Sequence, residues 1–149
     1  MVKKLRLCIE VCWFPNPGRV VVIFVLWNMT TNHLFHGKRE VPGMTTNNEA
    51  YYISLVEGIK EGKQHDVNDI EVFTNLELIC NQMKDIYQVR KDNLKLLYKE
   101  AINWSCWFQY FTINHSADIE NMSSDIMSRG LLSTYVDVKY DIGSPSTTT

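Results

Sequence analysis

Lys91, Lys95 and Lys99 recur every four residues in the run from Lys91 to Lys99. On a helix that spacing places the three ammonium groups on one face, and a basic stripe can track a phosphate backbone. Asp92 and Glu100 stand beside the stripe, and a solvated helix face is the stronger reading of it. Cys8, Cys12, Cys80 and Cys106 include no Cys-x-x-Cys pair, which points to buried thiols and away from zinc. Trp104, Trp107, Phe108 and Tyr110 suit a core and sheet edge better than a base-stacking platform, and an exposed tryptophan there would suit a protein interface. Asn-x-Ser/Thr triplets begin at Asn28, Asn103, Asn114 and Asn121; with no secretory signal they read as chance.

Hydrophobic patterning gives the elements that must position such groups. Leu5, Leu7, Ile9 and Val11 alternate with Arg6, Cys8, Glu10 and Cys12, which is a strand. Pro15-Asn16-Pro17-Gly18 is a turn, and Val20 to Trp27 is a continuous apolar run, as in a strand covered on both faces. A turn over Asn28 to Asn32 leads to a third strand, His33 to Glu40, and the short connections predict an antiparallel meander. Thr46 or Asn47 caps a helix with Glu49 in its first turn, and Tyr52, Leu55, Val56 and Ile59 share one face. A fourth strand over Asp69 to Thr74 follows, reached by a crossover that favours a parallel partner. Helices are predicted over Glu77 to Asp85, Asp92 to Ser105 and Ile119 to Leu132, with a fifth strand over Phe108 to Asn114. Residues 1–135 read as one domain and 136–149 as a flexible tail.

Thr45-Thr46-Asn47-Asn48-Glu49-Ala50-Tyr51-Tyr52, Asn16-Pro17-Gly18, the stretch Leu78 to Ala101 and the run His115 to Asp125 together resemble the plant branch of the ribonuclease H-like family. The resemblance implies an α/β ribonuclease H-like fold: a five-stranded mixed sheet, strands one to three antiparallel and four and five parallel, flanked by helices. Active members cut the RNA strand of an RNA–DNA hybrid with two Mg²⁺ ions held by four carboxylates. Hard Mg²⁺ ions about 3.5–4 Å apart need several negative oxygens converging on one point.

The resemblance places those four positions at Glu10, Tyr51, Asn75 and Asp125. Glu10 keeps a charge but adds a methylene to the family's aspartate. Tyr51 stands where the family has glutamate, and a phenol with a reference pKa of about 10 is a poor Mg²⁺ ligand. Asn75 stands where the family has aspartate, and Asp125 keeps the aspartate. Two formal charges remain, so a two-metal site is not expected; one Mg²⁺ held weakly between Glu10 and Asp125 is the most they leave open. His115 matches the histidine that helps product leave. Asn47 and Asn48 match positions that touch the nucleic-acid backbone, and Asn16 lies in the loop that approaches the hybrid's minor groove. Val20, Val21, Val22 and Ile23 fill places where the family carries small residues, so the floor of the site is expected to be repacked as core.

A formal net charge of −2 lacks the basic excess usual in nucleic-acid binders. No apolar run approaches the roughly 18 residues of a membrane span, and Glu10 interrupts the only stretch that could serve as a signal peptide. The expected protein is intracellular, cytoplasmic or nuclear. It is a catalytically inactive ribonuclease H-like domain with no cofactor, acting by binding to a protein partner. The alternatives are a residual hybrid ribonuclease and a non-catalytic RNA- or hybrid-binding module.

Overall fold

The computed structural model describes residues 3–15, 18–42, 45–130 and 132–136. Its elements in chain order are β1 (Leu5–Phe14), β2 (Arg19–Asn28), β3 (His33–Val41), α1 (Asn47–Lys63), β4 (Asp69–Thr74), α2 (Glu77–Met83), α3 (Asp92–Ser105), β5 (Tyr110–His115), α4 (Ile119–Arg129) and β6 (Leu132–Val136). The strands form one sheet in the order β5-β4-β1-β2-β3-β6. β1, β2 and β3 are the antiparallel meander, with Leu5 opposite Asn28 and Val20 opposite Val41. β4 lies parallel between β1 and β5, as a crossover through α1 requires.

Among the described residues the sheet has six strands, not the five expected. α4 stops at Arg129 instead of running on to Leu132, because Gly130 is extended and lies so close to Leu34 that a β-carbon there would strike the leucine side chain. The chain therefore leaves the helix against β3, and Leu132–Val136 pairs parallel with it, His33 opposite Leu132. Asn32, at φ 62°, holds this turn: it accepts a 2.8 Å hydrogen bond from Trp27 Nε1 and donates one of 2.9 Å to the Arg129 carbonyl. The expected tail was to begin at 136, which is instead the last residue of β6; residues 137–149 lie outside the described residues.

α1 is the centre of the core. The sequence predicts one apolar face, but the helix buries Ala50 through Ile59 nearly all round. It lies between the sheet, through β1 and β2, and α3 on its other side. Gly58 permits this closeness, since a β-carbon there would run into the side chain of buried Leu7. α4 covers the opposite face of the sheet, where Ile119 and Ile126 pack on Cys8, Val25 and Leu34. β2 is thus covered on both faces, in keeping with its unbroken apolar sequence.

One buried charge in this core makes a pH test. Glu57 on α1 is buried, and Lys60 Nζ stands 3.6 Å from its Oε1, an ion-pair separation too long for a hydrogen bond. Burial pushes the Glu57 carboxyl up, and the attraction of Lys60 offsets this only in part. A raised carboxyl binds its proton more tightly in the folded chain. Stability is therefore lost as pH rises from the unfolded value of about 4.3 through the folded one. Glu57→Gln is expected to be more stable than the parent at pH 7 and equal to it near pH 4, read as urea midpoints at the two pH values.

Candidate functional site

Glu10, Tyr51 and Asn75 come from three elements that meet at one end of the sheet. The start of α1 is fixed by a capping box: Thr46 N–H donates to Glu49 Oε1 at 2.9 Å, and Glu49 N–H donates to Thr46 Oγ1 at 3.2 Å. Glu49 is therefore committed to the helix terminus. Two residues on, about 200° around the axis, Tyr51 points inward and is only 6% exposed. Asn75 follows the last residue of β4, where Thr74 Oγ1 accepts from the Leu76 N–H at 3.2 Å and shapes the turn into α2. Tyr51 Oη donates to Asn75 Oδ1 at 2.6 Å, a short, partly buried bond.

Glu10 lies on β1, opposite Ile23 of β2. Its carboxyl is pushed up by burial first and by the charge of Glu120 second, with the nearby Ser123 hydroxyl, which has no hydrogen-bond partner of its own among the described residues, pulling the other way. The Tyr51 phenol is pushed up by burial, eased by the bond to Asn75 and raised further by the charge of Glu10. Glu10, Tyr51 and Asn75 therefore form one electrostatic group, and the phenol stays protonated as the donor to Asn75.

Asp125 sits differently. On α4 the buried face is Ile119, Ser123 and Ile126. Asp125 lies about 200° from Ser123 around the helix. Its carboxylate is 60% exposed and accepts from Arg129 Nε at 3.0 Å. The α4 groups that act on Glu10 are Glu120 and Ser123, which the sequence reading did not single out. The signal for Ser123 was present in the i, i+4, i+7 spacing of Ile119, Ser123 and Ile126.

The other predicted positions lie on several different elements. His115 is exposed at the end of β5, opposite Thr74. Asn47 is exposed and Asn48 half-buried in the first turn of α1. Asn47 borders an open pocket with Trp13, Val20 and Thr45. Asn16 lies outside the described residues. Lys91, Lys95 and Lys99 are exposed, and Lys95 pairs with Asp92 at 3.3 Å. Of the four residues expected to fill the floor, Val20, Val21 and Val22 are buried, and Ile23, opposite Glu10, is half-buried.

Mg²⁺ of the kind implied by the resemblance does not fit this donor set. Tyr51 spends its proton on Asn75 Oδ1, an amide oxygen that carries no formal charge. The Asp125 carboxylate is engaged by a guanidinium on an exposed stretch of helix. Among the described residues, no group of three or more His, Cys, Asp or Glu side chains converges so as to hold a metal ion. Hard dications held close together need more anionic oxygen than this.

The strand order, the crossover through α1 and the polar group at the ends of β1 and β4 define a ribonuclease H-like α/β domain. Residues 13–129 match the family described as reverse transcriptase-like, and the chain belongs to that family. No curated protein matches. Among solved structures, the N-terminal RNase H domain of Rv2228c from Mycobacterium tuberculosis superposes with a TM-score of 0.72 at 22% identity, over 82% of this chain and 93% of that one. RNase H1 from the halophilic archaeon Halobacterium salinarum gives 0.68 at 20% identity, over 85% and 94%. LC11-RNase H1, solved in complex with an RNA/DNA hybrid, gives 0.64 at 22%, over 82% and 92%. At these identities the likeness is one of fold.

Proposed function

We propose that the chain is a ribonuclease H-like domain that does not cleave RNA–DNA hybrid and works by binding, with another protein as its partner. The observation that carries the reading is the 2.6 Å bond from Tyr51 to Asn75. It joins two of the four positions at which the resemblance expects metal-binding carboxylates. A neutral donor–acceptor pair there is self-satisfied, whereas two carboxylates would repel each other and require a cation between them. The exposed Trp107, Tyr87 and Leu96, on α3 and its flanks, favour a protein partner. The deciding experiment incubates pure protein with labelled hybrid and Mg²⁺ or Mn²⁺, with Asp125→Asn as control. Cleavage that vanishes in that variant would promote the residual nuclease.

A second reading, non-catalytic hybrid binding, draws on the exposed Lys91, Lys95 and Lys99 and on the likeness to LC11-RNase H1, which was solved with a hybrid. Only phosphate contacts would sustain such binding, so it is expected to be weak and to fall steeply with salt. Gel shifts at low and moderate salt check this. Tight binding that persists at high salt would favour the second reading over the first.

A further inference from the structure

We propose that the groove between the α2–α3 connection and α3 docks a segment of another protein that carries both acidic and apolar side chains. The proposal rests on the binding role above and assigns it a surface and a partner chemistry. The groove is about 300 Å³, lined by Tyr87, Val89, Leu96 and Tyr98, with Lys95, Lys99 and one carboxylate, Asp85, among its walls. Leu96 is 77% exposed and Tyr87 50%. A single exposed leucine on a helix is ordinary, but here it shares a concave surface with a second large apolar side chain.

The groove is preformed by the backbone. α2 ends at Met83, and Asp85 takes a left-handed φ of 61°. The Asn81 carbonyl then accepts from both Ile86 N–H and Tyr87 N–H, at 2.8 and 3.0 Å. This pins the connection beside α3, whose inner residues Leu94, Leu97 and Ala101 are anchored in the core. A surface held in place this way costs little to order on binding.

Charge identifies the occupant. Between residues 84 and 99 the chain carries Lys84, Arg90, Lys91, Lys95 and Lys99 against Asp85 and Asp92, a local excess of three positive charges in a chain of net −2. All five basic side chains are exposed, and among the described residues only Lys95 of the five is in an ion pair. Of the five, Lys95 and Lys99 line the groove itself; lysines beside an apolar floor, in a stretch of net positive charge, complement a segment that presents carboxylates beside leucine-like side chains. A nucleic-acid backbone would use the lysines and leave the floor empty.

The test uses the full chain and three probes: a synthetic peptide with leucines at helical spacing among glutamates, an oligoglutamate peptide of the same charge, and an RNA–DNA hybrid duplex. Amide shifts on titration report the place and strength of binding. The leucine–glutamate peptide is expected to shift residues 85–99. Leu96→Asp should weaken it by about tenfold or more, as loss of a central anchor does. Lys99→Glu should weaken it as well, while oligoglutamate binds more weakly and is indifferent to Leu96. Leu96 is exposed, so both variants keep the fold, and an unchanged amide spectrum outside the groove verifies it. The proposal is overturned if the peptide leaves 85–99 unshifted, if oligoglutamate binds as well, or if the hybrid binds here more tightly and Leu96→Asp has no effect on it. None of these outcomes depends on whether the chain cleaves hybrid, so the groove and the loss of cleavage stand or fall separately.

Discussion

Pure protein incubated with labelled RNA–DNA hybrid and either Mg²⁺ or Mn²⁺ is expected to leave the RNA strand intact. In-line displacement assisted by two metals needs both ions clamped about 3.5–4 Å apart, and charge alone works against that here. Tyr51 and Asn75 hold each other at 2.6 Å, and Asp125 is engaged by Arg129 at 3.0 Å. Geometry works in the same direction, since misplacing a reacting group by about 1 Å can cost about 100-fold in rate. Restoring a single carboxylate should recover nothing measurable, because groups that act as a unit are grossly non-additive. Tyr51→Glu with Asn75→Asp returns the charge, and Glu10→Asp added to them removes the extra methylene. The success of the three together would still depend on β2, where Val20, Val21 and Val22 are buried and Ile23 stands opposite Glu10.

Tyr51→Glu by itself is expected to destabilise the fold by about 3–5 kcal/mol, the usual cost of an uncompensated buried charge. The ring is 6% exposed within the main core, and its hydroxyl is the partner of Asn75. Replacing it with a carboxylate removes the packed ring, strips Asn75 of its donor and places a negative charge near Glu10. Tyr51→Phe, which keeps the ring and loses only the hydrogen bond, is expected to cost about 1–2 kcal/mol. Urea denaturation of the two variants separates the contributions. A Tyr51→Glu protein as stable as the parent would mean that the position still tolerates the charge of a metal-binding residue.

How much of this was legible in the sequence differs from residue to residue. The meander, the crossover and α3 were readable because each rests on local patterning, and α3 has the expected bounds, Asp92–Ser105. Tyr51 and Asn75 were singled out through the resemblance; no spacing rule says that two residues 24 apart meet at 2.6 Å. Glu49 was read as a helix-start charge, and the capping box with Thr46 gives it that place. Glu120 and Ser123 were missed because their importance depends on how α4 is rotated against β1, which is set by tertiary packing. β6 was missed for a related reason. Its five residues are mostly exposed, so burial wrote no alternation into them, and its pairing is decided by Gly130 passing Leu34.

β6 changes one rim of the sheet, the other rim being β5. Without Leu132–Val136, β3 would be that rim, and the backbone groups that now bond β6 would be bare over His33 to Gly37. A bare row of that kind is a template for edge-to-edge pairing and aggregation. β6 transfers the rim to a strand half as long as β1, and one that pairs with β3 from about a hundred residues further along the chain. Closing this long loop costs more entropy than closing the β2–β3 turn, so β6 is expected to dock on β3 after the meander has formed. The chain is thus most prone to self-association while it is still folding, before its last strand has docked.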